Sequence, residues 1–183
     1  MSQAISGVLR LCPERPLPAY RYVPGRHPHP NKHAGGHNFL AAVDWGQSAW
    51  EPHRPWPANR RYLYAHDLFA HRFLWESHEV WEELWHAIPV ERPERRLIQG
   101  LIQTAATTLK HHMGHDKARG RLAERAVVHL KAAAVLGEVV WGVDIPALVA
   151  QLDARVACPV VGLRIPLSAG PRPPARCAPP TTP

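Results

Sequence analysis

Proline divides this chain into three parts, and the division limits what the chain can fold into. Of the 183 residues, 20 are proline, and about half of these lie in residues 1–60. The segment 157–183 is also rich in proline, whereas residues 61–156 contain only three. Proline interrupts helices and central strands because its ring fixes φ and its nitrogen carries no hydrogen. We therefore expect one folded domain at 61–156, between an irregular leader and a disordered tail.

The middle block has the periodicity of an all-α fold. Apolar residues recur every three to four positions over 61–85, 94–113 and 116–140, and a further short helix is expected to start at Asp144. The first segment is compatible with one helix or with two helices broken near residue 71. A glycine inside the second segment, Gly100, costs a helix about 1 kcal/mol relative to alanine, so we expect a close helix–helix contact there. These patterns predict a compact bundle of about five helices, with the leader packed on it.

Composition excludes several classes of protein. With 45% hydrophobic residues the chain is not fully disordered, and no apolar run approaches the roughly 20 residues that a membrane span needs. The net charge of +7 comes from dispersed arginines without a recognised binding motif, so nucleic acid is not an expected partner. Cys12, Cys158 and Cys177 are scattered and odd in number, which argues against a disulfide framework and a thiolate zinc site. Because the start of the chain shows no cleavage site, we expect a cytoplasmic protein.

The string LWESHEVWEELWH, residues 74–86, carries the strongest chemical signal. His78 and Glu82 are four residues apart and therefore share a face of a helix. With Trp75 and Trp85, and with His71 if the helix is continuous, they form a stripe unlike a solvated face. Imidazole and carboxylate suit Zn, Fe or Mn, so the pair is a candidate metal site or acid/base pair. In the alternative interpretation, they satisfy buried backbone groups or each other.

Related metal motifs are weaker in this string. The zinc-protease pattern HExxH is absent, because residue 82 is glutamate. An ExxH pair occurs at Glu83 and His86, but a di-iron bundle needs two such pairs and two further carboxylates. We therefore give this pair little weight.

The leader is unusually rich in histidine. His27, His29, His33 and His37 fall within eleven residues. Alternating proline holds this backbone extended, so His27 and His29 are expected to point the same way and could chelate a metal. The alternative is a mobile surface loop, but the surrounding tyrosines and tryptophans favour docking onto the bundle.

Polar residues on the 94–113 segment could complete a site. Gln99, Gln103 and Lys110 lie apart from the apolar stripe, and they form a pocket wall if they face His78 but ordinary surface if they face water. His111 and His115 are four apart at the end of this segment and could also chelate.

Together the strings HEVWEELW, RLIQGLIQTAA and KHHMGHDKARGRLAERA resemble the bacterial and archaeal domain-of-unknown-function family 309. The resemblance covers about Tyr62 to Leu152, and it implies a small all-α bundle without an established reaction. It also implies that the family's shared residues here are His78, Glu79, Glu82, Trp85, Gln99, Gly100 and Gln103.

The chain departs from the family pattern in three places. Ala70 and Arg72 stand where the family usually has Asn and Gly, which makes a continuous helix conceivable. His115 stands in the position of an Asn in the following turn, and the long leader lies outside the family's core.

Two hypotheses of function follow. In the first, the chain is a metal-dependent hydrolytic or oxidative enzyme that acts on a small molecule or peptide. Its metal ligands would be His78, Glu82 and the leader residues His27, His29 and His37. Glu79 would be a general base or would orient a ligand, and Glu79, Glu82 and Gln103 are the predicted catalytic residues. In the second, the chain is a non-catalytic helical module for binding or homo-oligomerisation, and the His/Glu/Gln stripe is structural.

Overall fold

The structure is a computed structural model that describes residues 4–37, 45, 48–157 and 165–167, with only the backbone of 155–157. Its five helices confirm the predicted all-α bundle. After a 3₁₀ turn at Trp56–Ala58, they are α1 (Arg60–Ala70), α2 (Leu74–Ala87), α3 (Glu94–His112), α4 (Asp116–Ala133) and α5 (Ile145–Ala157). A second 3₁₀ turn at Ala134–Leu136 and a two-stranded antiparallel ribbon, β1 (Val139–Val140) and β2 (Val143–Asp144), lie between α4 and α5.

The 61–85 segment forms two helices rather than one. Asn59 starts α1 by accepting a hydrogen bond from the Tyr62 backbone N–H at 3.0 Å. The chain then breaks at Arg72, whose φ of 68° is left-handed, and the Phe73 N–H donates back to the Leu68 carbonyl at 2.8 Å. A left-handed residue cannot continue a right-handed helix, and it is usually glycine. Arg72 thus adopts the conformation expected of glycine, and the break occurs without one.

Each helix packs against the next in sequence, from α1 to α5. The core includes fully buried Trp81 and Leu84 of α2, Leu101 of α3 and Leu130 of α4. A Cβ on Gly100 would lie 2.7 Å from the Leu130 Cγ, which is closer than carbon atoms can approach. The predicted close helix contact at Gly100 is therefore present, between α3 and α4. Among the described residues, no helix combines the length and the apolar character that crossing a membrane demands.

Two boundaries differ from the prediction. The fourth helix was expected to reach residue 140 but ends at Ala133, because the chain passes through Gly137 at a φ of 124° and turns into the ribbon. Most of the tail that was predicted to be disordered lies outside the described residues. Part of that segment is ordered, because Leu167 pairs with Val143 and the Pro166 carbonyl accepts from the Asp144 N–H at 3.1 Å.

The leader packs on the bundle, as predicted. Cys12, a free thiol, is fully buried, and Tyr22 and Trp45 also belong to the core. Burial raises the pKa of Cys12 to about 11, so this thiol stays protonated near neutral pH. The other cysteines, Cys158 and Cys177, lie outside the described residues.

Candidate functional site

Helix α2 carries the candidate site on its partly exposed surface. Val80, Trp81 and Leu84 on the opposite face are fully buried and fix the rotation of the helix in the bundle. His78, Glu79 and Glu82 lie away from this face, with side chains that are 27%, 25% and 43% exposed. We call these three residues the α2 cluster.

The α2 cluster brings three ligand atoms close together. The His78 Nδ1 atom lies 3.4 Å from Glu79 Oε1 and 3.8 Å from Glu82 Oε2. One ligand atom from each residue can be chosen so that all three lie within 4.8 Å of one another. His78 Nδ1 is buried and has no hydrogen-bond partner among the described residues. The sequence therefore placed His78 and Glu82 together correctly, and the structure adds the Glu79 carboxylate.

Gln103 lies on α3, which packs against α2. The Arg95 guanidinium donates to the Trp85 carbonyl at 2.6 Å and stacks 3.9 Å from the Trp85 ring, which pairs the start of α3 with the end of α2. The Gln103 Oε1 atom is buried without a partner among the described residues.

Glu76, a residue that the sequence reasoning missed, lies two positions before His78 and on another side of α2. Its side chain is fully buried. The Tyr22 backbone N–H donates to Glu76 Oε1 at 2.8 Å, and His37 Nε2 lies 3.0 Å from the same oxygen. Glu76 therefore binds the leader, and one ligand nitrogen of His37 is engaged there. The long-range pairing with Tyr22 leaves no mark in the local sequence.

His27 and His29 are also held within the leader fold. His27 stacks on Tyr20 with ring centroids 5.6 Å apart, and His29 lies 5.2 Å from the Tyr22 ring. The Nδ1 atoms of both accept backbone N–H groups, from Val23 at 3.3 Å and from Asn31 at 3.2 Å. His33 does the same for Gly35 at 2.9 Å. Such bonds stabilise turns in the way that Asx side chains do.

The structure thus does not bring the leader histidines into one ligand group with His78. Among the described residues, the group of at least three metal-ligand side chains is the α2 cluster alone. His27, His29 and His37 face tyrosine rings, backbone N–H groups and Glu76 instead. The leader contacts α2 at Glu76 and at Trp75, whose ring lies 5.1 Å from Tyr22 and 5.3 Å from His29, and not within the ligand group that was predicted with His78 and Glu82.

A second buried carboxylate holds the earlier part of the leader. Asp67 of α1 accepts from the Leu11 and Cys12 N–H groups at 2.7 and 2.8 Å and from Arg10 Nε at 3.3 Å. One turn later, His71 Nδ1 accepts from the Ile5 N–H at 2.9 Å. The predicted place of His71 in the α2 stripe is wrong, because α1 ends at Ala70. Burial lowers the pKa of His71, which keeps Nδ1 available as an acceptor.

His66 is a further histidine that the sequence reasoning missed. It is 4% exposed and lies among aromatic rings, 4.4 Å from the centroid of Tyr62 and 5.2 Å from that of Trp81. Burial lowers the pKa of His66 to about 3, so it is neutral in the folded protein. It is a core histidine rather than a ligand.

The ExxH pair, Glu83 and His86, lies outside the ligand group of the α2 cluster. Glu83 lies 3.4 Å from Arg61 of α1, and burial raises the pKa of Glu83 although the Arg61 charge opposes this. His86 is exposed and lies against the Trp85 ring at 4.9 Å. The histidines at the end of α3 also stay outside the ligand group, and His111 lies 5.9 Å from the ring of His112.

The fold and the site define a small helical-bundle domain with a His/Glu cluster on its second helix. Residues 62–122 match the family described as "Domain of unknown function (DUF309)". The resemblance to this family is confirmed over these residues, which make up about a third of the chain. The match includes α2, α3 and the start of α4 and ends at residue 122, short of the expected Leu152. A search of curated proteins found no match.

Proposed function

We propose that this chain is a metal-dependent hydrolytic enzyme whose α2 cluster binds a divalent transition ion. The observation that supports this most directly is the close approach of one imidazole and two carboxylates, with ligand atoms within 4.8 Å. Zn, Fe and Mn all accept this mixed nitrogen and oxygen ligand set.

The spacing within the α2 cluster fits coordination of one ion. Two ligands at about 2.1 Å from a metal in tetrahedral geometry are themselves about 3.4 Å apart. The His78 Nδ1 atom is 3.4 Å from Glu79 and 3.8 Å from Glu82. Small side-chain rotations therefore suffice to place all three on one ion.

Three protein ligands leave coordination positions open to water and substrate, which is the pattern of catalytic rather than structural sites. A bound divalent ion lowers the pKa of its water and polarises a carbonyl or phosphoryl oxygen. The partial exposure of Glu79 and Glu82 gives a substrate access to this position. The amide of Gln103, on the neighbouring helix α3, has a buried oxygen without a partner among the described residues and is suited to hydrogen bonding a polar small molecule or peptide.

Metal binding is tested first. The full chain, purified without a histidine tag, is incubated with Zn²⁺ or Mn²⁺, desalted and analysed by inductively coupled plasma mass spectrometry. We expect about one equivalent of metal in the wild type and less than about 0.2 in His78→Ala, because the variant loses the imidazole ligand. His86→Ala is the matched control: it removes an exposed histidine of the same helix and should leave the metal content unchanged. Equal loss in both variants, or no metal in the wild type, would contradict the site.

Catalysis is tested separately with p-nitrophenyl acetate, an activated ester. The metal-loaded wild type should hydrolyse it faster than the metal-free protein, and His78→Ala should show no metal-dependent rate. A chain that binds metal at the α2 cluster without any metal-dependent hydrolysis would overturn the hydrolytic assignment but not the metal site.

A further inference from the structure

Two of the turns between helices lie at the same end of the bundle. The turns at 71–73 and 113–115 are short, and the helices that each of them joins pack against each other, so these helices run antiparallel. Arg95 at the start of α3 contacts Trp85 at the end of α2, which places the end of α3 beside the start of α2. Arg72 in the first turn and His111 and His112 in the last turn of α3 therefore lie at one end of the molecule.

The leader brings a further cation to this end. The Tyr22 N–H donates to Glu76 in the first turn of α2, and Arg21 Nε donates to the His71 carbonyl at 2.8 Å. These two bonds hold the leader against the turn between α1 and α2. Arg26 follows only four residues after Tyr22, and its side chain is exposed.

The charges at this end act on one another. Burial lowers the pKa of His112, and the positive charges of His111, Arg72 and Arg26 lower it further. The rings of His111 and His112 lie 5.9 Å apart. Three separate elements of the chain thus bring four basic side chains within electrostatic range, and all four are at least partly exposed. We call Arg26, Arg72, His111 and His112 the basic cluster.

The basic cluster differs from the arginines elsewhere on the surface. Arg92, at the opposite end of the bundle, pairs with Glu94 at 2.6 Å. The ion pairs of the described residues include no carboxylate partner for Arg26, His111 or His112. A group of cations without such partners creates a positive potential that attracts an anion.

The backbone of Arg72 indicates that its side chain has a role. Its φ of 68° is strained for a residue with a Cβ, whereas glycine adopts this conformation without strain. Strained residues of this kind cluster at sites that hold ligands. Arg72 makes other interactions as well, so an anion would be one of several groups that it contacts.

We propose that the basic cluster binds the phosphate group of a small molecule. A guanidinium donates two parallel N–H groups to a phosphate, and the histidines add ring N–H donors. The cluster is confined to one end of the bundle, which suits one or two phosphate groups, whereas a nucleic acid needs a row of contacts along its backbone. It contains no residue of the α2 cluster, so it is independent of the proposed metal chemistry.

Calorimetric titration of the metal-free full chain with inorganic pyrophosphate, at constant ionic strength, tests the basic cluster. The wild type should bind about one equivalent, and Arg72→Gly should raise the dissociation constant at least about tenfold, because it loses a charge-assisted pair of hydrogen bonds. Glycine suits the left-handed backbone, so this variant should keep its fold, which circular dichroism verifies. Arg26→Ala should also weaken binding, because it removes the cation that the leader supplies.

Arg125→Ala is the matched control. Arg125 is an exposed arginine of α4 outside the cluster, and its removal lowers the net charge by the same amount. It should leave the dissociation constant unchanged. A wild type that does not bind pyrophosphate would overturn the proposal, and so would equal weakening in Arg72→Gly and Arg125→Ala, because net charge alone would then attract the anion.

Parallel titrations distinguish the source of the phosphate. A short single-stranded DNA and vesicles of phosphatidylcholine with phosphatidylserine should bind no more tightly than pyrophosphate. Tighter binding of either, lost in Arg72→Gly, would assign the cluster to that polyanion and contradict the small-molecule ligand.

Discussion

Two groups of acidic residues on the same helix have opposite environments. Glu76 is fully buried and is bound by the Tyr22 N–H and by His37 of the leader. In the α2 cluster, two to six residues further on, Glu79 and Glu82 are 25% and 43% exposed and approach only His78 within the described ion pairs. The same residue types in one string are therefore a structural anchor on one side of α2 and open ligands on the other. The buried face of α2 fixes the rotation of the helix, and this rotation places Glu76 in the leader contact and Glu79 and Glu82 at the surface.

The largest expected effect is a difference in stability between variants of the buried and the exposed glutamates. Glu76→Ala removes the acceptor of a buried N–H and the partner of His37, and should lower the free energy of unfolding by about 3–5 kcal/mol. Glu82→Ala, on the exposed side, should change it by less than about 0.5 kcal/mol. Urea denaturation of the metal-free proteins, followed by circular dichroism, measures both. Equal losses would remove the distinction between anchor and ligand.

The substitution Asp67→Asn tests whether the Asp67 carboxylate holds the leader on the bundle. The variant keeps the shape of the side chain but loses the charge that accepts from Arg10, Leu11 and Cys12, so it should lose about 1.5–3 kcal/mol. Release of the leader should make Arg10 accessible, and trypsin should cleave after Arg10 faster than in the wild type, as read by mass spectrometry. Glu83→Gln serves as the control, since Glu83 binds Arg61 rather than the leader. Unchanged cleavage in Asp67→Asn would show that the carboxylate does not hold the leader.

His66, which is buried against Trp81 of α2, should make the stability of the protein depend on pH. His66 has a pKa of about 3 when folded and 6.5 as its ordinary value, so only the unfolded chain takes up this proton between these values. The free energy of unfolding therefore has its full value above pH 6.5. It decreases as the pH falls from 6.5 toward 3, by about 1.4 kcal/mol per pH unit. His66→Phe should flatten this slope in urea titrations at several pH values, leaving the contributions of His71, His112 and His129, whose pKa values burial also lowers. An unchanged slope would mean that His66 is protonated in the folded state.

The smallest expected effect concerns the turn that sets α2 against α1. Arg72 has a φ of 68°, where a side chain is strained, so Arg72→Gly should relieve strain and raise stability by up to about 1 kcal/mol. The interactions that the Arg72 side chain makes reduce this gain. Thermal unfolding measures it, and Ala70→Gly, at the last residue of α1, should have the opposite sign. A loss of stability in Arg72→Gly would mean that those interactions outweigh the strain.

Much of the fold could be predicted from local pattern. The helical periodicity and the Asp144 helix start depend on neighbours in sequence, and a glycine inside a helix indicates a close helix contact without identifying the partner. The structure confirms all three. The break at Arg72 could not be predicted with the same ease, because a residue other than glycine adopts the left-handed conformation there.

The site was predictable in part for the same reason. His78 and Glu82 are neighbours on one helix, so their spacing alone brings them together. The partners of Asp67 and Glu76 come from the leader, 39 to 57 residues away, and no local signal identifies them. The leader histidines were expected at His78 because sequence shows their ligand chemistry but not the tyrosines and backbone N–H groups that engage them.

A calorimetric titration of the full chain with Zn²⁺ tests the central claim most directly. The wild type should bind about one ion per chain, His78→Ala should lose this binding, and Glu76→Gln should retain it because Glu76 lies in the leader contact. Glu76→Gln keeps an acceptor oxygen, and its folded state is verified by circular dichroism before the titration. Zinc binding that survives His78→Ala but is lost in Glu76→Gln would contradict the account, because it would place the ligands on the leader side of α2.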